Sequence, residues 1–344
     1  MKKLFLGLSI AFLASCTNNE RVDIPQGQNS IKFKVPYVTN VTRTVTDVTT
    51  SIVPSIHAFG VYTALSEGGG YDWEDYGYCL ENKEVTAESG FDTGELWRTN
   101  NVYAFAAYVN GADNTCLKDN AGNSLVDFSV DEETGNSVMY IPGYDSSEDN
   151  DLIVAMTNDI VITTASNVVV PLSFRHVLSK LNFIFLNGET SSYNMKVYDV
   201  ELRGINKTGN VTITKQLGST LVPVWTPLDG LYTKSFDQVG DVLAPKTSAG
   251  CSCYTIPGDI PTDCILAFKV TLNPGETTAK TEEYEVELNI NTLSTWQESR
   301  SYSYTLQLQA HQIDTGLSES IKFSVAVDTW GPIGLPLTPT PKEE

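Results

Sequence analysis

The stretch Ser30-Ile31-Lys32-Phe33-Lys34-Val35 alternates apolar and charged side chains with a period of two. Successive side chains of a strand point to opposite faces, so this pattern buries Ile31, Phe33 and Val35 and leaves Lys32 and Lys34 in water. Nearly the same hexapeptide returns as Ser320-Ile-Lys-Phe-Ser-Val325. Working outward, alternation predicts strands over residues 58–64, over 102–109 with Tyr103, Phe105 and Ala107 in step, and over 181–185 with Leu181, Phe183 and Phe185. Residues 168–174 read as a strand that Pro171 places near an edge. Further strands are expected over 197–202, 211–214, 265–272, 284–290, 302–308 and 321–327. Gly68-Gly69-Gly70 and residues 145–151 read as loops, and 175–178 (Arg-His-Val-Leu) as a helical turn. No segment of helical period exceeds about two turns.

The fold expected is therefore all-β. A polar break at 187–194 divides it into two antiparallel β-sandwiches in tandem, over residues 31–190 and 191–330. Residues 331–344 carry Pro332, Pro336, Pro339 and Pro341 and read as an extended tail. The 344 residues are 41% hydrophobic and 19% charged, a globular composition. Twenty-two Lys and Arg against 42 Asp and Glu leave a formal charge of −20. That balance argues against a nucleic-acid partner, whose binding runs on Lys and Arg neutralising phosphates.

The chain opens Met1-Lys2-Lys3 and runs apolar from Leu4 to Ala14, a secretory leader too short to span a bilayer as a mature helix. It ends Leu13-Ala14-Ser15-Cys16, the pattern of a bacterial lipobox, in which a small residue precedes a cysteine that is acylated and becomes the new N-terminus. Residues 1–15 are thus expected to be a signal peptide, cut between Ser15 and Cys16, with Cys16 as the lipidation site. Thr17 stands where an Asp would signal inner-membrane retention, so the outer membrane is the expected destination. Residues 16–30 are polar and read as a tether. Losing Lys2 and Lys3 with the leader takes the formal charge from −20 to −22.

Beyond Cys16 the chain keeps Cys79, Cys116, Cys251, Cys253 and Cys264. Five is odd, so at least one stays unpaired within the chain. A Cys251–Cys264 or Cys253–Cys264 bridge and buried free thiols are both open readings. Cys251-Ser-Cys253 without a nearby His is a poor zinc motif. No metal and no cofactor is expected.

Catalytic patterns are missing: no H-E-x-x-H, G-x-S-x-G, P-loop or G-x-G-x-x-G occurs. His57, His176 and His311 are the only histidines, and His176, beside an apolar strand, reads as structural. The run Asp145-Ser-Ser-Glu-Asp-Asn-Asp151 offers oxygen ligands for calcium but lacks EF-hand spacing and reads as a solvated loop. Tyr71-Asp-Trp-Glu-Asp-Tyr76 fits either a sugar groove or a strand with an aromatic core face.

Several segments in order resemble the fimbrillin (FimA/Mfa-like) family, subunits of type V pili. They are Trp97-Arg-Thr-Asn-Asn-Val-Tyr-Ala-Phe-Ala-Ala-Tyr108, Leu152-Ile-Val-Ala155, Pro171-Leu-Ser-Phe-Arg-His-Val-Leu-Ser-Lys-Leu181 and Val200-Glu-Leu-Arg-Gly204. Trp296, Tyr302-Ser-Tyr304 and the closing Ile321-Lys-Phe-Ser-Val-Ala-Val-Asp-Thr-Trp330 complete the set. The resemblance implies two transthyretin-like sandwiches, export as an outer-membrane lipoprotein, a later place in a cell-surface fimbria, and no enzymatic activity. It also implies maturation by a protease that cuts after an arginine, here between Arg43 and Thr44. The cut removes the first strand as a plug, and a strand of another fimbrial subunit refills the groove. Cutting after Arg21 instead would leave that strand in place. Stalk subunits carry a C-terminal donor strand. Here Ile333, Leu335 and Leu337 alternate as one would, but Pro332 and Pro336 lack donors, so tip, anchor and accessory roles stand beside the stalk. The competing readings are a non-polymerising surface lipoprotein that binds glycan or host protein, and a glycosidase whose paired carboxylates meet only in space.

Overall fold

The computed structural model describes residues 29–34, 38–39, 50–51, 54–111, 113–164, 167–189, 193–228, 230–236, 239–289, 293–310 and 322–329. Cys16, Arg21, Val35, Arg43, Thr44, His311, Ile321 and the tail lie outside these residues. The regular structure of the described chain is predominantly strand. In order, the strands are β1 (Ser30–Lys34), β2 (Val38–Thr39), β3 (Thr50–Ser51), β4 (Ser55–Ala64), β5 (Gly77–Thr86), β6 (Asp92–Leu96), β7 (Asn101–Asn110), β8 (Asp127–Val130), β9 (Ser137–Asp145), β10 (Leu152–Ile162), β11 (Val169–Pro171) and β12 (Arg175–His176). There follow β13 (Ser179–Asn187), β14 (Met195–Asn206), β15 (Thr208–Lys215), β16 (Leu221–Pro227), β17 (Leu231–Phe236), β18 (Ser248–Thr255), β19 (Gly258–Asp259), β20 (Ile265–Leu272), β21 (Lys280–Glu287), β22 (Thr295–Trp296), β23 (Arg300–Leu308) and β24 (Lys322–Thr329).

The expected tandem of sandwiches is present, and the first carries an extra layer. Its centre is the sheet β12-β10-β7-β4-β5. On one side lies β16-β15-β9-β8, and on the other the three-stranded sheet β11-β1-β6. The alternation of β7 shows why the middle sheet is covered twice. Val102, Ala104, Ala106 and Tyr108 enter the core shared with β9 and β15. Tyr103, Phe105, Ala107 and Val109 enter the core shared with β1. β10 splits in the same way, with Leu152, Val154 and Met156 on the first side and Ile153 and Ala155 on the second. A strand buried on both faces has no polar side, so β4 and β7 read as near-continuous apolar runs. Gly60 is needed at this centre, because a Cβ there would stand 2.8 Å from both Cys79 Sγ and the Phe105 ring.

The second sandwich pairs β18-β13-β23-β24 with β17-β14-β20-β21. Its core holds Leu181, Phe183 and Phe185 from β13, Val197, Val200 and Leu202 from β14, Leu266, Phe268 and Val270 from β20, and Tyr302, Tyr304 and Leu306 from β23. Phe183 stacks on Tyr304 with centroids 5.4 Å apart, and the Trp296 indole donates to the Tyr304 hydroxyl at 2.8 Å.

Four features differ from the sequence expectation. Residues 175–178 form no helical turn: Arg175 and His176 pair with Val154 and Ile153 as strand β12. Two ladders are parallel, β1 with β11 and β13 with β23, in sandwiches expected to be antiparallel. The chain passes from one core to the other between Leu178 and Leu181 rather than at 190/191. Finally, the hairpin β15–β16, expected in the second sandwich, turns back to pair with β9 and adds Val211, Ile213 and Leu221 to the first. Trp225 on that hairpin donates its indole N–H to the Val177 carbonyl at 2.6 Å, locking the crossing segment in place.

Candidate functional site

β1 is five residues long, and every strand it pairs with is far away in the chain. It is the middle strand of its sheet, parallel to β11 through Lys32↔Val169, Phe33↔Val170 and Lys34↔Pro171. On its other edge it runs antiparallel to β6 through Ser30↔Leu96 and Lys32↔Asp92. Main-chain bonds run from Phe33 N–H to Phe91 O, from Trp97 N–H to Asn29 O and from Leu172 N–H to Lys34 O, each 3.1 Å. The buried Thr93 hydroxyl donates to Ile31 O at 2.9 Å.

The side chains obey the period of two. Ile31 is 0% and Phe33 3% exposed, while Lys32 and Lys34 are exposed. Phe33 meets the Phe105 ring edge-to-face at 5.5 Å, and Trp97, Val170, Leu172 and Phe174 close the same cluster. Two buried side chains of this size are worth about 3–6 kcal/mol before ordering costs. Val35, expected as a third anchor, lies outside the described residues. Strands in a sheet sit about 4.8 Å apart, so without β1 the edges of β6 and β11 would face each other across a gap one strand wide. Such a slot selects an extended segment by its main chain and by apolar residues at i and i+2.

Asp92 latches β1 from the solvent side. Its carboxylate accepts from Ser30 Oγ at 2.7 Å and lies 3.1 Å from Lys32 Nζ. Partial burial disfavours the charge, but the Gly94 N–H, Ser30 and Lys32 outweigh it and hold the carboxyl below its usual pKa. A folded pKa below the unfolded value gives stability that is complete above pH about 3.9 and fades as pH falls through the lower folded value. Asp92→Asn should therefore speed amide exchange of Phe33, Trp97 and Leu172 at neutral pH. The gap to the unsubstituted chain should close in acid. Equal exchange at neutral pH would show that Asp92 does not hold the strand.

Among the described residues, the others singled out in the sequence do not converge on a reaction centre. His57 is buried, stacks on Tyr108 and contacts Asn114 O through Nε2 at 3.2 Å, and burial lowers its pKa. His176 is buried at the junction of the two cores, its Nδ1 2.8 Å from Asp151 Oδ2. His57 on β4 and His176 on β12 belong to one sheet and are kept apart by β7 and β10 between them. Cys79, Cys116, Cys251, Cys253 and Cys264 are free thiols. Burial pushes Cys79, Cys251 and Cys264 up to about 12 and raises Cys253 as well, so these four stay protonated and unreactive at neutral pH. The run 145–151 is a capped 3-10 turn over Ser146–Glu148, in which Asp145 accepts from the Ser147 N–H. Asp149 Oδ1 accepts from the Tyr254 N–H at 2.9 Å and so ties this turn to β18. Residues 71–76 form a turn before β5 rather than the strand of the core-face reading, with Trp73 in the core and Tyr71 and Tyr76 edge-on to it. Sequence reasoning missed Asp92 and Thr93, because nothing local marks an Asp-Thr pair as the partner of a strand sixty residues earlier.

A family model described as fimbrillin-like matches residues 42–330. The chain is similar to the crystal structure of a fimbrial protein from Bacteroides vulgatus, at 14% identity over 80% of this chain and 93% of that one, with a TM-score of 0.48. It is also similar to the fimbrial anchor protein Mfa2 from Porphyromonas gingivalis, at 11% identity over 82% and 91% of the two chains, with a TM-score of 0.29. No curated protein matches the sequence.

Proposed function

The chain belongs to the fimbrillin-like family, and from that premise we propose that it is a structural or accessory subunit of a cell-surface type V fimbria that supports adhesion. It is exported as an outer-membrane lipoprotein through Cys16 and matured by a cut between Arg43 and Thr44. Its partners are other fimbrial subunits, each filling the emptied groove with one strand. The role is non-catalytic.

One observation carries this reading: β1 is a central strand by its hydrogen bonds yet a separate piece by its connectivity. It has a neighbour on both edges, its partners begin at Phe91, and its two anchors fill a shared core. The family match begins at residue 42, beside Arg43, and so leaves β1 outside the matched span. A cut behind β1 frees two sheet edges and an apolar slot at once, and both favour capture of a new strand.

The test is to treat the purified chain with an arginine-specific protease, sequence the new N-terminus and follow size. A new terminus at Thr44, loss of residues 30–34 and growth into oligomers that persist on dilution are expected, and Arg43→Ala should leave a monomer in dilute solution. A chain that stays monomeric after losing β1 would overturn strand exchange and favour the non-polymerising binding lipoprotein. Oligomers that retain β1 and do not dissociate on dilution would also overturn it. For the anchor, Cys16→Ala should leave unprocessed precursor outside the membrane fraction, and normal partitioning of that variant would refute lipidation there.

A further inference from the structure

The outer face of β16-β15-β9-β8 is almost free of charge. The register places two full rows across it: Val224, Thr212, Tyr140 and Asp127, then Val222, Thr214, Val138 and Ser129. The alternate residues Val211, Ile213, Met139, Ile141, Phe128 and Val130 fill the core, so these rows point outward. Val222 is 49%, Val224 58% and Tyr140 39% exposed, and Leu217, at 68%, extends the patch at the β15–β16 turn. Asp127 is the single charged residue among the eight. The outer face of the sheet β17-β14-β20-β21 is built in the opposite way. There Arg203 is paired with Glu201 and Glu285, and Lys269 with Asp199 and Glu283. One chain thus covers one sheet with ion pairs and leaves another in Val, Thr and Tyr.

We propose that this face is a contact between two copies of this chain, packed sheet on sheet. Charge favours that occupant. A chain of −20 repels its own kind across any acidic surface, whereas these two rows bring only Asp127 from each copy, and Asp145 at the far end of β9 is paired with Lys207. Flat Val/Thr faces pack about 10 Å apart with interdigitating side chains, as sandwich sheets do. The edges of the sheet do not compete. β16 carries Pro223 and Pro227, which lack N–H donors, and β8 is only four residues long. Two rows across four strands cover on the order of 300 Å², against about 800 Å² per partner in a stable complex. The contact is therefore weak between free molecules and becomes effective when copies are held side by side.

It is independent of strand exchange, and the experiment keeps the two apart. The full-length Cys16→Ala chain, which has no acylation site, is checked by mass to retain β1. It is then followed by sedimentation velocity from about 10 μM to about 1 mM, a span covering weak association. A reversible dimer is expected, strengthened by salt because salt screens the repulsion. Val222→Lys with Val224→Lys should weaken it at least tenfold. Ser303→Lys with Thr305→Lys, on the outer face of β23, adds the same charge and should not weaken it. Val222→Thr with Val224→Thr keeps side-chain shape and should weaken it less than the lysine pair. A monomer at every concentration and salt, or a dimer indifferent to the Val222/Val224 substitutions, would overturn the proposal.

Discussion

Phe33→Ala is expected to cost the first sandwich about 3–5 kcal/mol, the range for truncating a buried aromatic side chain. Phe33 is 3% exposed and its ring stands edge-on to Phe105 in a cluster closed by Trp97, Val170 and Phe174. Little of that core can collapse into the space, because Phe105 sits on β7 and is held by ladders to β4 and β10 on both sides. The loss should appear first where β1 is fastened. Amides of Trp97 and Leu172, bonded to Asn29 and Lys34, should exchange faster by a factor of at least about a hundred, the equivalent of roughly 3 kcal/mol. Lys34→Ala, on the solvent side of the same strand, should stay within about 0.5 kcal/mol. Phe183→Ala, which opens the other core, should destabilise the second sandwich while leaving the β1 amides protected. A Phe33→Ala chain with unchanged exchange at Trp97 and Leu172 would mean that Phe33 does not anchor the strand.

What made this anchor legible is the clean alternation of β1. One face is in the core and the other in water, so period two survives in the sequence, as it does in β13, where Leu181, Phe183 and Phe185 point inward. The third layer was not legible for the converse reason. β4 and β7 are covered on both faces, and an apolar run such as Val102 to Val109 does not say how many sheets lie over it. Nor do β6 and β11 announce that they flank β1, since the pairings Lys32↔Asp92 and Phe33↔Val170 join segments with no local signal in common. The hairpin β15–β16 escaped the expected boundary because the polar break at 187–194 marks a turn between β13 and β14, two strands of one sandwich, rather than a change of core. At 175–178, Arg175 and His176 were drawn into a strand by the β10 edge they pair with, while Val177 and Leu178 serve the first core. The candidate site was half visible. Ile31 and Phe33 follow from spacing, but Asp92 and Thr93 follow only from the fold.

A peptide Asn29-Ser-Ile-Lys-Phe-Lys34, added to chain that has lost everything before Thr44, should re-enter the groove and block assembly. The groove offers it the same bonds that β1 uses: Phe91 O, the Trp97 N–H and the Leu172 N–H along the main chain, and the Thr93 hydroxyl on the Ile31 carbonyl. Main-chain pairing alone would accept many sequences, so the two apolar pockets must set the selectivity. Replacing both Ile31 and Phe33 in the peptide by Ser removes about 3–6 kcal/mol of burial, so binding should fall by at least about a hundredfold. Replacing Lys32 by Glu puts like charge against Asp92, which is 27% exposed, and should weaken binding only a few-fold. The reversed peptide keeps composition and charge. It cannot, however, run parallel to β11 and antiparallel to β6 with its two anchors in their own pockets. It should bind at least tenfold more weakly. Equal binding of forward, reversed and Ser-substituted peptides would show that the slot between β6 and β11 closes once β1 leaves. Strand exchange at this site would then have no physical basis in this chain.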